Sequence, residues 1–269
     1  MIDVDQKNFE KDGILKIKNF LSLEELKEIK NIVQYYSFPK DHPEAVFSSK
    51  LRHLIYKLLK LKFKKFSHHV KIFKLVKKKK LNKISNILFK KKSYLDYIDG
   101  YCSPISNKDV LPWHTDRAYA GNIENFKQFV NPDHYYIKFF IYLTNVDSNN
   151  GCMSYIPGSH KISYLIRKGI FSKELKYEPY WMLKDFRKFV LKEKNYNYIK
   201  NELKDKNSID DFLTKTKFID NNASNSDFDY SMSAGDAIIF NEGGVHKGSK
   251  TSESERLVLR VMFNEKINL

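Results

Sequence analysis

From Ser93 onward the chain breaks into short apolar runs separated by turn residues, and this texture most restricts the fold. SYLDYIDGYC (93–102) alternates aromatic with polar residues. IKFFIYLTN (137–145) reads as a central strand, and Met153–Ile156 as a short one that ends in Pro-Gly-Ser-His. Ala237–Phe240 follows the turn Ser233–Asp236, and RLVLRVMF (256–263) closes the series. Runs of four to nine residues with period-two alternation and Gly, Pro, Asn or Asp between them predict antiparallel strands. Residues 161–232 are polar and rich in lysine and asparagine, and predict an insertion of helices and loop between strands, of the kind that shapes a site.

The N-terminal part has a different period. Asp12-Gly13 precedes a short apolar stretch, Ile14–Phe20. Ser22-Leu-Glu-Glu25 has the spacing of a capping box, which predicts a helix to about Tyr36. Residues 50–93 carry 17 Lys or Arg and no acid, which leaves 31 basic against 32 acidic residues elsewhere, so this one segment holds the whole net charge of +16. Leu51, Leu54, Ile55, Leu58 and Leu59, then Val70, Phe73, Leu81, Ile84 and Leu88, recur at helical steps. They predict two amphipathic helices with lysine-rich outer faces and a break near Ser67–His69. Such a segment serves either as a solvated layer over a sheet or as a docking surface for an anionic substrate, an acidic partner or a peripheral membrane. Nucleic acid is the least favoured partner, because no aromatic-and-glycine signature accompanies the lysines.

No apolar run reaches the roughly 18 residues that cross a bilayer. The start, MIDVDQKNFEKDG, lacks the apolar segment of a secretory signal. Only Cys102 and Cys152 occur, at a spacing that fits neither a zinc knuckle nor a disulfide framework. These features predict a cytoplasmic protein. No repeat or linker divides the chain, so residues 1–269 read as a single domain: a helical part (1–92), strands (93–160 and 233–264) and the insertion (161–232). The fold class is mainly β with helices (α+β), an antiparallel barrel or sandwich.

Three elements could carry chemistry. His114-Thr-Asp116 would bring an imidazole and a carboxylate to one side of an extended chain, though the motif alone also suits a surface hydrogen-bonded pair. His246 follows the strand 237–240. Two histidines and one carboxylate on one metal leave three adjacent positions open, the arrangement that suits Fe(II) oxygen chemistry. Arg256 opens the last strand, where a guanidinium could clamp a carboxylate with two parallel hydrogen bonds. Arg260 competes for that role from the same face, about 13 Å further along.

In order, Trp113-His-Thr-Asp116, Asn149-Asn-Gly-Cys152, Ile156-Pro-Gly-Ser-His160, Gly235-Asp236, His246 and Arg256 resemble the phytanoyl-CoA dioxygenase family of Fe(II)- and 2-oxoglutarate-dependent oxygenases, from about Ser93 to Phe263. The resemblance implies a double-stranded β-helix (jelly roll, cupin-like) with N-terminal helices packed on one sheet. It implies Fe(II) on His114, Asp116 and His246, with 2-oxoglutarate and O2 as cosubstrates. It also implies Arg256 as the clamp for the distal carboxylate of 2-oxoglutarate, and Phe140 as the aromatic residue beside it. Lys138 and Tyr142 share Phe140's face by alternation, which makes Lys138 a further candidate for cosubstrate binding, with core or barrel lining the alternative for all three. Some members carry a serine two residues after the second histidine; here that place is Gly248, and the neighbouring Ser249 is the candidate substitute.

Members that halogenate have a small residue in place of the carboxylate, so Asp116 favours hydroxylation, or another C–H oxidation, of a small-molecule substrate. Arg117 and Tyr119, just past the motif, are candidate substrate contacts, with a solvated role the alternative for Arg117. The cationic segment makes a phosphate-bearing or carrier-linked substrate reasonable. Two rival readings remain open at this level: a non-catalytic binding module that uses the basic helices, and a cupin-like metal enzyme without 2-oxoglutarate.

Overall fold

The computed structural model of the chain describes residues 4–37, 44–46, 63–116, 118, 131–219 and 226–265. Helix α1 (Gln6–Asp12) starts where the Asp5 carboxylate accepts from the Asn8 amide at 3.0 Å, and stops at Gly13, whose φ of 80° turns the chain into β1 (Ile14–Ile17). The capping box forms as the sequence predicts: the Ser22 amide donates to Glu25 Oε2 at 2.9 Å and the Glu25 amide to Ser22 Oγ at 3.2 Å. Together they open α2 (Leu23–Ser37). After β2 (Glu44–Val46) come α3 (Phe63–Lys78) and α4 (Leu81–Phe89).

The strands follow: β3 (Ser93–Ser103), β4 (Ser106–His114), β5 (Tyr136–Tyr142) and β6 (Met153–Tyr155). Among its described residues the insertion folds as four α-helices, α5 (Ser159–Phe171), α6 (Leu183–Val190), α7 (Glu193–Glu202) and α8 (Asn207–Lys215). It ends a few residues earlier than expected, because Asp229–Tyr230 already form a strand, β7. Strands β8 (Ala237–Asn241), β9 (His246–Thr251) and β10 (Arg256–Glu265) complete the chain.

Two antiparallel sheets result, one ordered β1-β8-β5-β10-β3-β2 and the other β4-β9-β6-β7. This is the jelly-roll arrangement. Alternation along the large sheet separates two cores. Ile137, Phe139 and Ile141 on β5, with Leu257, Leu259, Val261 and Phe263 on β10, pack outward against Ile29, Ile32 and Val33 of α2, Ile72, Leu75 and Val76 of α3, and Leu81, Ile84 and Leu88 of α4. Their neighbours Phe140, Tyr142 and Val258 face inward, and join Ile238, Phe240, Met153 and Tyr155 to fill the barrel. A third core, around Ile166, Leu183, Phe186 and Phe212, holds the insertion helices to Trp113 and Val245, which flank the two histidines.

The basic segment departs from expectation in two ways. Helix α3 runs unbroken through Ser67–His69, because His69, Ile72, Leu75 and Val76 keep one buried stripe. The break falls at Lys79-Lys80, where Lys80 adopts a φ of 55° and Lys79 Nζ donates to the Phe20 carbonyl. Val70 and Phe73 lie at the margin of that stripe. Leu51, Leu54, Ile55, Leu58 and Leu59 lie outside the described residues. Several lysines are not free cations either: Lys71 pairs with Glu28, Lys78 and Lys79 with Glu25, Lys90 with Glu10 and Lys91 with Glu265. This supports the solvated-layer alternative for the described part of the segment.

Candidate metal centre and cosubstrate pocket

His114 is the last residue of β4 and His246 the first of β9, and the two strands pair so that these residues lie opposite one another. Their rings come within 4.3 Å, centroid to centroid. Strand geometry alone does not place Asp116, because β4 ends two residues before it. Four bonds do so. The Thr115 amide donates to the Trp181 carbonyl (3.0 Å), the Asp116 amide to the Glu242 carbonyl (3.3 Å) and Thr115 Oγ1 to the Gly243 carbonyl (2.8 Å). Ser159 Oγ accepts from the Val245 amide (2.8 Å) and steadies the loop before His246.

One ligand atom from each of His114, Asp116 and His246 lies within 4.8 Å of the other two. His114 Nδ1 contacts the Pro112 carbonyl at 2.6 Å and His246 Nδ1 the Gly244 carbonyl at 2.8 Å. A carbonyl only accepts, so Nδ1 donates in each ring and Nε2 is the nitrogen turned toward Asp116, at 3.4 and 3.5 Å. Burial, with His114 beside it, lowers the pKa of His246 below that of a free imidazole, although Asp116 pulls the other way. The ring is therefore neutral at pH 7, as a ligand must be. Tyr155 stacks on His246. Gly244 makes room for it, since a Cβ there would meet the phenol oxygen at 1.9 Å.

Lys138 points into this cluster. Its ammonium bonds Asp116 Oδ2 at 2.6 Å and Glu242 Oε2 at 3.1 Å. Burial pushes the Asp116 carboxyl up, but Lys138 and His246 outweigh it and hold the group well below the ordinary range. Lys138 stays a cation because Asp116 and Glu242 outweigh its own burial. Glu242 is a site residue that the sequence did not reveal. It is buried, and its other oxygen accepts from the Tyr136 amide at 2.9 Å. No motif marks it, because its role arises only where β5 and β8 lie side by side.

Further inside the barrel, Phe140 packs between Phe240 and Tyr101, with ring centroids at 5.0 and 6.4 Å. Beyond it the two arginines of β10 differ. Arg260 is spoken for: its Nε and one terminal nitrogen bond the two oxygens of the fully buried Asp99 at 2.8 and 2.5 Å. Arg256 is 2 % exposed and bonds only neutral groups, the Gly151 carbonyl (2.9 Å), Ser103 Oγ (3.0 Å) and Tyr101 Oη (3.4 Å). Its Nε has no hydrogen-bond partner, and it makes no ion pair among the described residues. A lone buried guanidinium is costly, and its donor set fits an incoming carboxylate.

Ser249 does not fill the role expected of it. Three residues past His246, it lies on the opposite face of β9, with its hydroxyl 3.4 Å from Ser154 Oγ and 3.6 Å from Cys152 Sγ. Gly248 shares the face of His246 and has no hydroxyl. Arg117 and Tyr119 lie outside the described residues.

Comparison with known proteins agrees with this geometry. Nothing among curated proteins matches significantly. Among solved structures, the chain is similar to AviO1 from Streptomyces viridochromogenes Tue57 (10 % identity, 97 % of this chain and 93 % of that one, TM-score 0.53). It is also similar to the non-haem alpha-ketoglutarate-dependent carbocyclase SnoK from nogalamycin biosynthesis (14 %, 97 % and 82 %, 0.56). HygX from Streptomyces hygroscopicus, solved with nickel and 2-oxoglutarate bound, is a third (12 %, 98 % and 88 %, 0.53). At such low identity these likenesses establish the fold. The family model of phytanoyl-CoA dioxygenase (PhyH) matches residues 9–258. The match spans both sheets, the insertion, both histidines, Asp116 and Arg256, and the chain therefore belongs to the phytanoyl-CoA dioxygenase family, as a non-haem Fe(II)- and 2-oxoglutarate-dependent oxygenase.

Proposed function

We propose that His114, Asp116 and His246 hold the Fe(II), that Arg256 receives the distal carboxylate of 2-oxoglutarate, and that the chain, as one domain, oxidises an unactivated C–H bond of a small molecule. The observation that carries this reading is the pairing, in one barrel, of the His–Asp–His cluster with a buried guanidinium that has no counter-anion among the described residues. Held by these residues, Fe(II) and 2-oxoglutarate would supply the oxidising power for the substrate C–H bond, with O2 consumed and succinate and CO2 released.

The chain's own residues supply position and exclusion. Each Nδ1–H anchored on a carbonyl fixes the direction of a ligand lone pair. Lys138 holds one oxygen of Asp116, leaving the other for the ion. Tyr155, Phe240 and Phe140 wall the passage between the cluster and Arg256 and keep water out. Asp116 fills the place that a halide would need, so hydroxylation, or another C–H oxidation, is the favoured outcome. The carbocyclase named above fits that wider range.

For the substrate we propose an anionic molecule, phosphate-bearing or carrier-linked, with Arg117 and Tyr119 as contacts. The charge excess of residues 50–93 supports this, as attraction to anions or to an acidic partner. No described helix is long and apolar enough to cross a membrane. Cys102 and Cys152 are both free, which supports a reducing, cytoplasmic setting.

The test is an anaerobic titration of the Fe(II)-loaded protein with 2-oxoglutarate. A weak visible charge-transfer band is expected in the wild type and none in His114→Ala, followed by succinate release when air is admitted. Metal demonstrably bound with no band would reject the reading.

A further inference from the structure

We infer that Tyr142 is a cosubstrate-binding residue: its hydroxyl joins Arg256 in holding the distal carboxylate of 2-oxoglutarate, the task a serine beside the second histidine performs in some relatives. The inference rests on the proposed reading and concerns what completes its carboxylate pocket. Gly248 cannot donate there, and Ser249 faces away from that interior. A carboxylate has about four acceptor positions, more than one guanidinium nitrogen fills.

The closed end of the barrel holds two buried donors without an acceptor. One is Nε of Arg256; the other is the hydroxyl of Tyr142, whose oxygen lies toward the Met153 amide but whose proton has no acceptor among the described residues. Tyr142 is fully buried and shares the inward face with Phe140 and Lys138. Register places it opposite Val258, which in turn lies opposite Tyr101, so Arg256 sits two residues deeper on the neighbouring strand. An unsatisfied buried hydroxyl is ordinarily selected against. Two such groups, one cationic and one neutral, in one pocket are explained together by a single anionic acceptor.

Burial raises the Tyr142 phenol above its ordinary pKa, and Arg256 is near enough to offset part of that rise; the group remains a protonated donor at neutral pH. The backbone supplies the space. Gly151, at a φ of 75°, lies against the Arg256 side chain, where a Cβ would meet Cδ at 2.8 Å. Any other residue there would push the guanidinium from its place.

The experiment compares wild type, Tyr142→Phe and Ser249→Ala, each loaded with Fe(II) without oxygen and titrated with 2-oxoglutarate or with 2-oxopentanoate, which lacks the distal carboxylate. Loss of a hydrogen bond to a charged group should weaken 2-oxoglutarate binding in Tyr142→Phe by roughly ten- to a hundredfold. Binding of 2-oxopentanoate should stay within about twofold, which also certifies that the variant is folded and metal-loaded. Ser249→Ala should match wild type. Equal 2-oxoglutarate affinity in Tyr142→Phe and wild type would overturn the inference, as would an equal loss for both keto acids. Those results leave the Fe(II)/2-oxoglutarate reading intact, whereas a wild type that shows no band with metal bound removes both.

Discussion

The two ends of the barrel treat charge in opposite ways. At the open end Asp116 and Glu242 share Lys138, so the three charged side chains sum to about −1. One step inward, Arg260 and Asp99 cancel one another. At the closed end Arg256 stands as a cation among neutral groups. A dication is drawn to the first region and an anion to the last, and a keto-dicarboxylate that chelates metal at one end and carries a carboxylate at the other spans both. Ion pairing inside a protein is thus informative where it is missing: the satisfied pair belongs to the architecture, and the cation without a counter-anion is what the proposed carboxylate site requires.

Exchanging the fates of the two arginines is the strongest way to break this contrast. Arg260→Ala strands the buried Asp99, which should cost about 3–5 kcal/mol in denaturant unfolding, while the folded fraction still binds 2-oxoglutarate. Arg256→Ala strands no charge, so stability should fall by about 1–2 kcal/mol at most, while 2-oxoglutarate affinity drops about 100- to 1,000-fold with Fe(II) retained. If Arg256→Ala unfolds the protein and Arg260→Ala does not, the contrast is wrong.

Lys138→Met sharpens the open end. Without the Lys138 ammonium on Oδ2, Asp116 would offer both carboxylate oxygens to a bound ion and so would compete with the cosubstrate. Fe(II) affinity should therefore hold while 2-oxoglutarate binds about tenfold more weakly in the anaerobic titration. A loss of metal instead would make Lys138 a structural clamp only.

Much of this contrast was legible in the sequence, within limits set by physics. Alternation in short runs marks strands and their faces, which is why Lys138, Phe140 and Tyr142 were aligned correctly. The candidate metal-binding residues at positions 114, 116 and 246 are picked out by their chemistry, and the fold brings them together. Choosing between Arg256 and Arg260 depends on Asp99, which sits opposite Arg260 only because of the β3–β10 register. Ser249 was misplaced because one residue's offset along a strand exchanges its faces. The helix break was misplaced because Lys80 turns left-handed with no glycine or proline to announce it. Glu242 and the hydroxyl of Tyr142 can be read only from neighbours distant in the chain.

Glu25 fixes the low end of the scale, as a charge fully satisfied outside the barrel. Burial raises its carboxyl, but bonds from Lys78, Lys79 and the Ser22 amide outweigh this and bring the pKa down from 4.5 to about 2. A depressed carboxylate contributes stability that is complete above the unfolded value and is lost as pH falls through the folded one. Glu25→Gln should therefore cost about 1 kcal/mol at pH 7, the scale of one capping interaction. The gap between variant and wild type should narrow below pH 4.5 and close near pH 2, as read from urea midpoints across that range. A gap that persists at pH 2 would mean that the side chain acts by shape and not by charge. The same series run on Arg256→Ala should show no such pH dependence in this window, because no acid answers that guanidinium.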